Sequence, residues 1–374
     1  MGNRAFVSVT NDLYTDNRVN KICLFLVEQG YKVTLIGRIK SDSSPLNDRP
    51  YATKRFKLLW EKGPKFYAAY NLRLFFYLLS RRADLLVAND LDTLTANFLA
   101  WKFKFKTKLV YDSHEYFTQV PELIHRPKTQ KIWERIEGYI FPRLQSIYTV
   151  NQSIADIYTQ KYKKTVRVVR NISPSWNAEN VPSRKELGLP ENRFLVILQG
   201  AGINIDRGAE EAVEAMKLLT DVTLIIVGSG DVIDTLKELV KTYELQNRVL
   251  FFGKRPYAEM MAFTSLSDVG LTLDKPTSDN YRYSLPNKVF DYIHAETPII
   301  GTNLLEVAQI ITTHQVGTVI NELSPETLAN AIHHYQEHPD LLLTQKANCR
   351  VASAIENWEN EQEVLKQIYP SIEC

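Results

Sequence analysis

The sequence predicts an α/β protein built from two doubly wound, mostly parallel sheets, and two observations carry that prediction. Short β-rich runs alternate with amphipathic helical stretches along almost the whole chain. The alternation breaks once, at the polar, proline-bearing stretch Ile172-Ser-Pro-Ser-Trp-Asn-Ala-Glu-Asn-Val-Pro-Ser183. Repeated βα alternation builds parallel sheets, and two sets of it build two domains with ligand sites at the carboxyl ends of the strands. With 374 residues and 44% hydrophobic content, the chain can bury a core in each half. The expected domains are 1–172 and 184–351, with 352–374 packing back on the first.

The elements follow in order. Ala5 to Val9 reads as a strand, Val19 to Gln29 as a helix closed by Gly30, and Lys32 to Ile36 as the next strand, which completes one βαβ unit. Asp84 to Ala88, Lys108 to Tyr111, Ser146 to Val150 and Val166 to Val169 supply the remaining strands of the first half. In the second half the strands are Phe194 to Gln199, Val222 to Val227, Arg248 to Phe252, Asp268 to Leu273 and Pro298 to Gly301. A helix over Ala209 to Leu219 follows the first of these, and Val351 to Ile368, carrying Trp358, reads as a terminal helix.

The stretch Ser284-Leu-Pro-Asn-Lys-Val-Phe-Asp-Tyr-Ile-His-Ala-Glu-Thr-Pro-Ile-Ile300 describes a loop, a helix and a strand around an anion site. Pro286 suits a first helical turn, where its missing N–H costs nothing. Free N–H groups then gather from Leu285 through Asn287 to Lys288, whose ammonium adds a formal charge. Asp291, one turn in, can accept hydrogen bonds from vicinal hydroxyls such as those of a ribose. Two glycine-bearing turns belong to the same rim: Gln199-Gly-Ala-Gly-Ile-Asn-Ile-Asp-Arg-Gly208, with Gly202, Asp206 and Arg207, and Val227-Gly-Ser-Gly-Asp231, with Gly228 and Gly230. Glycine lets a backbone approach a ligand, and Arg207 can fork onto phosphate oxygens. The first turn is neither a dinucleotide fingerprint nor a Walker loop, because the third glycine after Gly200-x-Gly202 and the Gly-Lys-Ser/Thr are missing. Each turn is also compatible with a plain connection.

In the first half, Leu109-Val-Tyr-Asp-Ser-His-Glu-Tyr-Phe117 runs from a strand into a polar loop that places Asp112, His114 and Glu115 toward the expected cleft. Asp16 and Arg18 leave the first strand, and Asp90 and Asp92 leave another, where they can face the same opening or cap a helix. His333, His334 and His338 read as surface residues rather than metal ligands.

Composition excludes several classes. Three distant cysteines, Cys23, Cys349 and Cys374, suggest neither a disulfide framework nor a zinc site. Residues 1–30 lack the apolar core of a signal peptide, and no run is long enough to span a membrane. A cytoplasmic protein, soluble or peripheral on the inner face of a membrane, is expected. From Ala52 to Lys108 there are 12 Lys and Arg against 4 Asp and Glu in a chain of net charge +2, interleaved with aromatics such as Phe56, Trp60, Phe76 and Trp101. That mixture suits an anionic membrane surface or a half-buried helix with a basic face, and no motif for nucleic acid accompanies it.

Taken in order, these motifs resemble the retaining, nucleotide-sugar-dependent glycosyltransferases of family four, in a bacterial branch with group 1 character, which have the GT-B fold. Asp16-Asn-Arg-Val19, Asn89-Asp-Leu-Asp-Thr-Leu94 and Tyr111-Asp-Ser-His-Glu115 carry the resemblance in the first half. Asp206-Arg-Gly208, Ile226-Val-Gly-Ser-Gly230, Val249-Leu-Phe-Phe-Gly253 and Leu285-Pro-Asn-Lys-Val-Phe-Asp-Tyr-Ile293 carry it in the second. The resemblance implies a nucleotide-diphosphate sugar, UDP- or GDP-linked, lodged in the second domain. Arg207 and Lys288 would hold its diphosphate, Asp291 its ribose, and His114 would contact the transferred sugar, with no cofactor and no metal. It implies a glycan or lipid-linked hydroxyl acceptor in surface polysaccharide or glycolipid assembly. Two positions depart from the family pattern: Tyr283 stands where a sugar-contacting glutamate is usual, and Ala201 where a basic residue is frequent. The first change admits a nucleotide-sugar 2-epimerase of the same fold, and the two together admit a non-catalytic glycan- or partner-binding protein.

Overall fold

The computed structural model describes residues 3–14, 17–41, 43–176 and 181–369. The chain divides into two compact units, Met1–Asn171 with Glu361–Cys374, and Ile172–Asn360.

The first unit is a seven-stranded parallel sheet of β1 (Arg4–Asp12), β2 (Lys32–Ile39), β3 (Ala52–Lys57), β4 (Leu85–Asn89), β5 (Lys108–Ser113), β6 (Ser146–Thr149) and β7 (Arg167–Val168). Its order is β3-β2-β1-β4-β5-β6-β7. The chain therefore reverses direction across the sheet between β1 and β4, and the carboxyl ends of those strands, with β5 beside them, form the crevice that such a reversal opens. β4 is buried on both faces, as a strand covered by helices must be. The sequence reading missed β3, whose Ala-Thr-Lys-Arg-Phe-Lys shows no apolar alternation. It lies at the sheet edge, where only Phe56 is buried and charge blunts the open side.

The second unit is a six-stranded parallel sheet of β8 (Phe194–Gly200), β9 (Val222–Gly228), β10 (Val249–Gly253), β11 (Val269–Thr272), β12 (Ile299–Thr302) and β13 (Gly317–Ile320), ordered β10-β9-β8-β11-β12-β13. Here the reversal lies between β8 and β11. β13, the other strand absent from the sequence reading, is a four-residue edge strand. Two apolar clusters line the unit, one around Val196, Leu224 and Val213, the other around Ile197, Ile225 and Phe290. Alternate residues of β8 and β9 feed the two clusters, which is the period-two signature of a sheet covered on both faces.

Three expected helices have different bounds. The helix after β8 is Ala209–Ala215 rather than extending to Leu219. The helix of the anion segment is Lys288–His294 with Asn287 as its N-cap, so Pro286 lies outside the first turn. The terminal stretch is two helices, Pro339–Ser353 and Trp358–Ile368. The second starts where Asn357 accepts the N–H of Asn360 at 2.9 Å, an N-cap within the expected single helix. From Glu361 onward the chain belongs to the first unit, where Tyr369 bonds Tyr148 at 3.1 Å and Glu361 pairs with Arg170 at 2.7 Å. No helix among the described residues is long and apolar enough to cross a membrane.

Candidate active site

In the first unit, the crevice at the carboxyl ends of β1, β4 and β5 is filled by a network of charges. Asp90 adopts a left-handed backbone, φ 58°, as the N-cap of the helix Leu91–Lys102. That conformation is unfavourable for a residue with a Cβ. It turns the Asp90 carboxylate back onto His114, where one oxygen accepts the backbone N–H at 2.8 Å and the other lies 3.2 Å from Nδ1. His114 Nε2 lies 3.3 Å from Asp112 and 3.1 Å from the Asn89 side-chain oxygen. Asp112, fully buried, also receives two hydrogen bonds from Arg18, at 2.7 and 3.2 Å, while Arg18 donates a third to the carbonyl of Val169 at 3.0 Å.

These contacts set the protonation states. Burial alone would hold His114 neutral, but Asp90 and Asp112 outweigh it and raise its pKa to about 9. Burial would likewise raise Asp112, yet Arg18 and His114 bring it down to about 2. Asp92, two residues after Asp90, goes the other way. Burial, reinforced by Asp90, lifts it to about 7 although Thr10 donates a hydrogen bond to it. His114 is thus a cation at neutral pH, with carboxylates at both ring nitrogens and no lone pair to offer as a base. Glu115 contributes its backbone carbonyl, which accepts the Ser113 hydroxyl at 2.9 Å. Asp16 lies outside the described residues.

The second unit gathers a different set. Arg207 stands between two left-handed residues, Asp206 at φ 65° and Gly208 at φ 71°. A Cβ on Gly208 would meet Leu273 at 2.4 Å, so the position requires glycine. Arg207 pairs with Asp274 at 3.1 Å and stacks on Tyr281, its guanidinium carbon 4.9 Å from the ring centroid. Lys288 shares their field: burial lowers its pKa, Asp274 opposes that shift and Arg207 reinforces it. Asp274 is 1% exposed, and one of its oxygens and the Arg207 Nε find no hydrogen-bond partner. Arg207 and Asp274 therefore leave bonding capacity unused just past the carboxyl end of β11, beside Lys288. Asp274 was missed by sequence reasoning. The available signal was an acidic residue two positions past a fully buried strand that borders the chain reversal.

The glycine turns meet each other rather than standing apart. Ile203 N–H donates to Ser229 O at 3.0 Å, and Ser229 N–H to Gly200 O at 3.1 Å. A Cβ on Gly228 would lie 1.8 Å from Gly200 O, and one on Gly230 1.9 Å from Ile203 O. Both glycines are thus required by loop-on-loop packing, with or without a ligand. Gly202 has only the Asn204 side chain near a built Cβ, at 3.7 Å. Gly253 ends the edge strand β10, two strands away from β8, and is not part of the cluster.

Asp291 is 6% exposed and already well bonded. Ser173 and Tyr257 donate to one oxygen at 2.9 and 3.0 Å, and Gln199 approaches the other at 3.5 Å. Tyr257 in turn has its pKa raised by burial and by Asp291. Leu285 packs on the core beneath the helix Lys288–His294, and Pro286 accepts the N–H of Val289 at 3.1 Å, closing the turn before it. Asn287 is exposed, and Tyr283 caps the short helix Asp279–Arg282. Among the described residues no group of three His, Cys, Asp or Glu side chains is arranged to hold a metal ion.

Two family models match side by side, Glycosyltransferase Family 4 over residues 16–172 and Glycosyl transferases group 1 over residues 182–351. The chain belongs to these glycosyltransferases. Solved structures give the GT-B fold to this glycosyltransferase. Sucrose-phosphate synthase from Thermosynechococcus elongatus superposes with a TM-score of 0.78 at 18% identity, covering 99% of this chain and 98% of that one. WaaG, a glycosyltransferase involved in lipopolysaccharide biosynthesis, gives 0.74 at 16% identity, with 98% and 100% covered. Anabaena HepE in complex with UDP-glucose gives 0.70 at 16%, with 97% and 99% covered. No curated protein matches the chain by sequence.

Proposed function

We propose that this glycosyltransferase moves a sugar, with retention of anomeric configuration, from a nucleotide-diphosphate donor to a hydroxyl of a glycan or lipid-linked acceptor. The observation that carries the reading is the cluster of Arg207, Lys288 and Asp274. Two cations around one carboxylate, with Arg207 Nε left without a hydrogen-bond partner, at the carboxyl edge of a doubly wound sheet fit a diphosphate, and HepE, of the same fold, is a protein crystallised with UDP-glucose. Arg207 and Lys288 stabilise the charge that grows on the departing diphosphate, so the reading assigns no role to a metal or cofactor. The acceptor hydroxyl attacks on the face the diphosphate vacates. His114 serves this chemistry as a cation, because a pKa of about 9 removes it as a general base. Asp291 reaches a ribose only by exchanging the hydroxyl of Ser173 or Tyr257 for one of the ligand's. Tyr283, in place of the usual acid, sets the choice of sugar.

A thermal-shift comparison of UDP with GDP tests the donor site, since a ligand that binds only the folded state raises the melting temperature. A UDP-sugar incubated with and without acceptor, followed by NMR of the anomeric proton, tests the reaction. Product of unchanged anomeric configuration, formed only with acceptor, is expected. Conversion of the UDP-sugar alone would instead show epimerisation, and donor binding with no turnover across an acceptor panel would show a binding protein.

A further inference from the structure

The basic, aromatic stretch of the first unit has its exposed apolar side chains in two places. At the carboxyl edge of the sheet, Leu59 and Trp60 occupy the connection after β3 and are 89% and 44% exposed. At the opposite, amino edge, Phe103 and Phe105 are 65% and 102% exposed, in the turn between the helix Leu91–Lys102 and β5. Leu72, Phe76 and Leu79, spaced four and three residues apart on the helix Gly63–Leu79, continue the second patch. Ring contacts join it: Phe75 lies 5.2 Å from Phe76 and 6.3 Å from Phe103.

The turn is built and held. Trp101 Nε1 donates to Thr107 O at 2.9 Å, Thr107 Oγ1 to Ala83 O at 2.6 Å, and Lys104 Nζ to Arg81 O at 2.6 Å. Two phenylalanines are therefore presented to solvent by a fixed scaffold. Lys102, Lys104 and Lys106 alternate with them in sequence, Lys102 lying over the Phe98 and Trp101 rings, and the Lys104 contact brings Arg81 and Arg82 to the same turn. Between Gly63 and Lys108 the acidic residues are Asp84, Asp90 and Asp92. Asp84 accepts the Arg4 N–H and faces Arg82, while Asp90 and Asp92 belong to the crevice at the other edge. The amino edge thus combines apolar tips with a positive rim.

We propose that this amino edge docks on an anionic lipid bilayer, with Phe103 and Phe105 entering the acyl boundary and Lys102 and Lys106 at the headgroups. Lysine is depleted at protein–protein interfaces, whereas aromatic tips flanked by long cationic side chains suit a negatively charged surface with an apolar layer beneath. About 17 Å of strand separates this edge from the crevice holding His114. Docking is thereby assigned away from Lys54, Arg55 and Lys57, the β3 side of the basic stretch. There Arg55 is engaged by Asp12 at 3.7 Å and by Ser44 O at 3.3 Å. The inference stands apart from the transfer reading and survives if no sugar is transferred.

The test is co-sedimentation of the full chain with phosphatidylcholine vesicles, with and without phosphatidylglycerol. Binding to the anionic vesicles only, weakened by salt, is expected. F103S/F105S should lower the partition about tenfold or more while leaving the melting temperature unchanged, because both rings are exposed in the fold. K102E/K106E should lower it as well, and L59S/W60S should not. The proposal is overturned if the wild-type chain stays in the supernatant with anionic vesicles, or if F103S/F105S binds them as well as wild type. It is equally overturned if only L59S/W60S loses binding, or if ultracentrifugation finds a dimer that F103S/F105S dissolves.

Discussion

The two crevices of this molecule occupy equivalent places in their sheets and solve opposite problems. In the first unit, Arg18, Asp112, His114 and Asp90 neutralise one another, each charge facing a partner within hydrogen-bonding reach. In the second, Arg207 and Lys288 share the single carboxylate of Asp274, and bonding capacity on both Arg207 and Asp274 is unused. A buried charge network complete in itself holds a backbone in place; one with unused bonding capacity is what the proposed diphosphate site requires. Substitutions that are structural in one crevice should therefore be functional in the other.

The largest effect belongs to the saturated network. Asp112→Ala strands a guanidinium that is 4% exposed, and removing one partner of such a pair costs roughly 3–5 kcal/mol. In urea denaturation the transition of the first unit should move to markedly lower denaturant. Arg207→Ala should do the reverse. Its partner Asp274 keeps Lys288 nearby, and Arg207 is itself 27% exposed, so the fold should lose little. The stabilisation by UDP at about 100 times Kd, near 2.7 kcal/mol for an intact site, should vanish. If Arg207→Ala destabilises as much as Asp112→Ala, or keeps the UDP response, the contrast between the crevices fails.

The pH dependence sharpens the contrast within the first crevice. His114 has a folded-state pKa of about 9, above its ordinary 6.5. Its contribution to stability is therefore complete below pH 6.5 and is lost as pH rises through 9. That window should cost roughly 3 kcal/mol. His114→Gln should flatten the stability profile there without touching the acid side. A profile equally steep in the variant would assign the alkaline loss to other groups.

How far all this was legible in the sequence depended on where each signal resided. Eleven strands were legible as short apolar runs, the edge strands β7 and β10 among them, whereas β3 is dominated by charged and polar residues and β13 is only four residues long. His114, Arg207 and Lys288 could be found because their neighbours in sequence, strand ends and helix starts, point to a crevice. Asp274 left only the weaker signal of an acidic residue just past a buried strand, and its pairing with Arg207 across 67 positions is encoded in no local pattern. The glycines were legible as glycines and misleading as ligand contacts: the crowding that demands Gly228 and Gly230 comes from the facing loop. Asp291 was read as open to a ribose, but Ser173, distant in sequence, already donates to it.

The smallest effect expected is the most specific to the saturated crevice. Asp92 is 8% exposed and sits beside Asp90, so it resists ionisation until about pH 7, well above its ordinary 3.8. A carboxyl whose pKa is raised on folding stabilises fully below its unfolded value and loses that contribution as pH climbs through the folded one. Wild type should therefore lose stability between about pH 4 and 7, just below the His114 window. Asp92→Asn holds the side chain neutral and can still accept the Thr10 hydroxyl, so it should match wild type at pH 4. At pH 7.5 it should be more stable than wild type, because the variant carries no buried charge there. Equal stability at pH 7.5 would mean that Asp92 ionises without penalty, and that the crowding of carboxylates around His114 ends at Asp90.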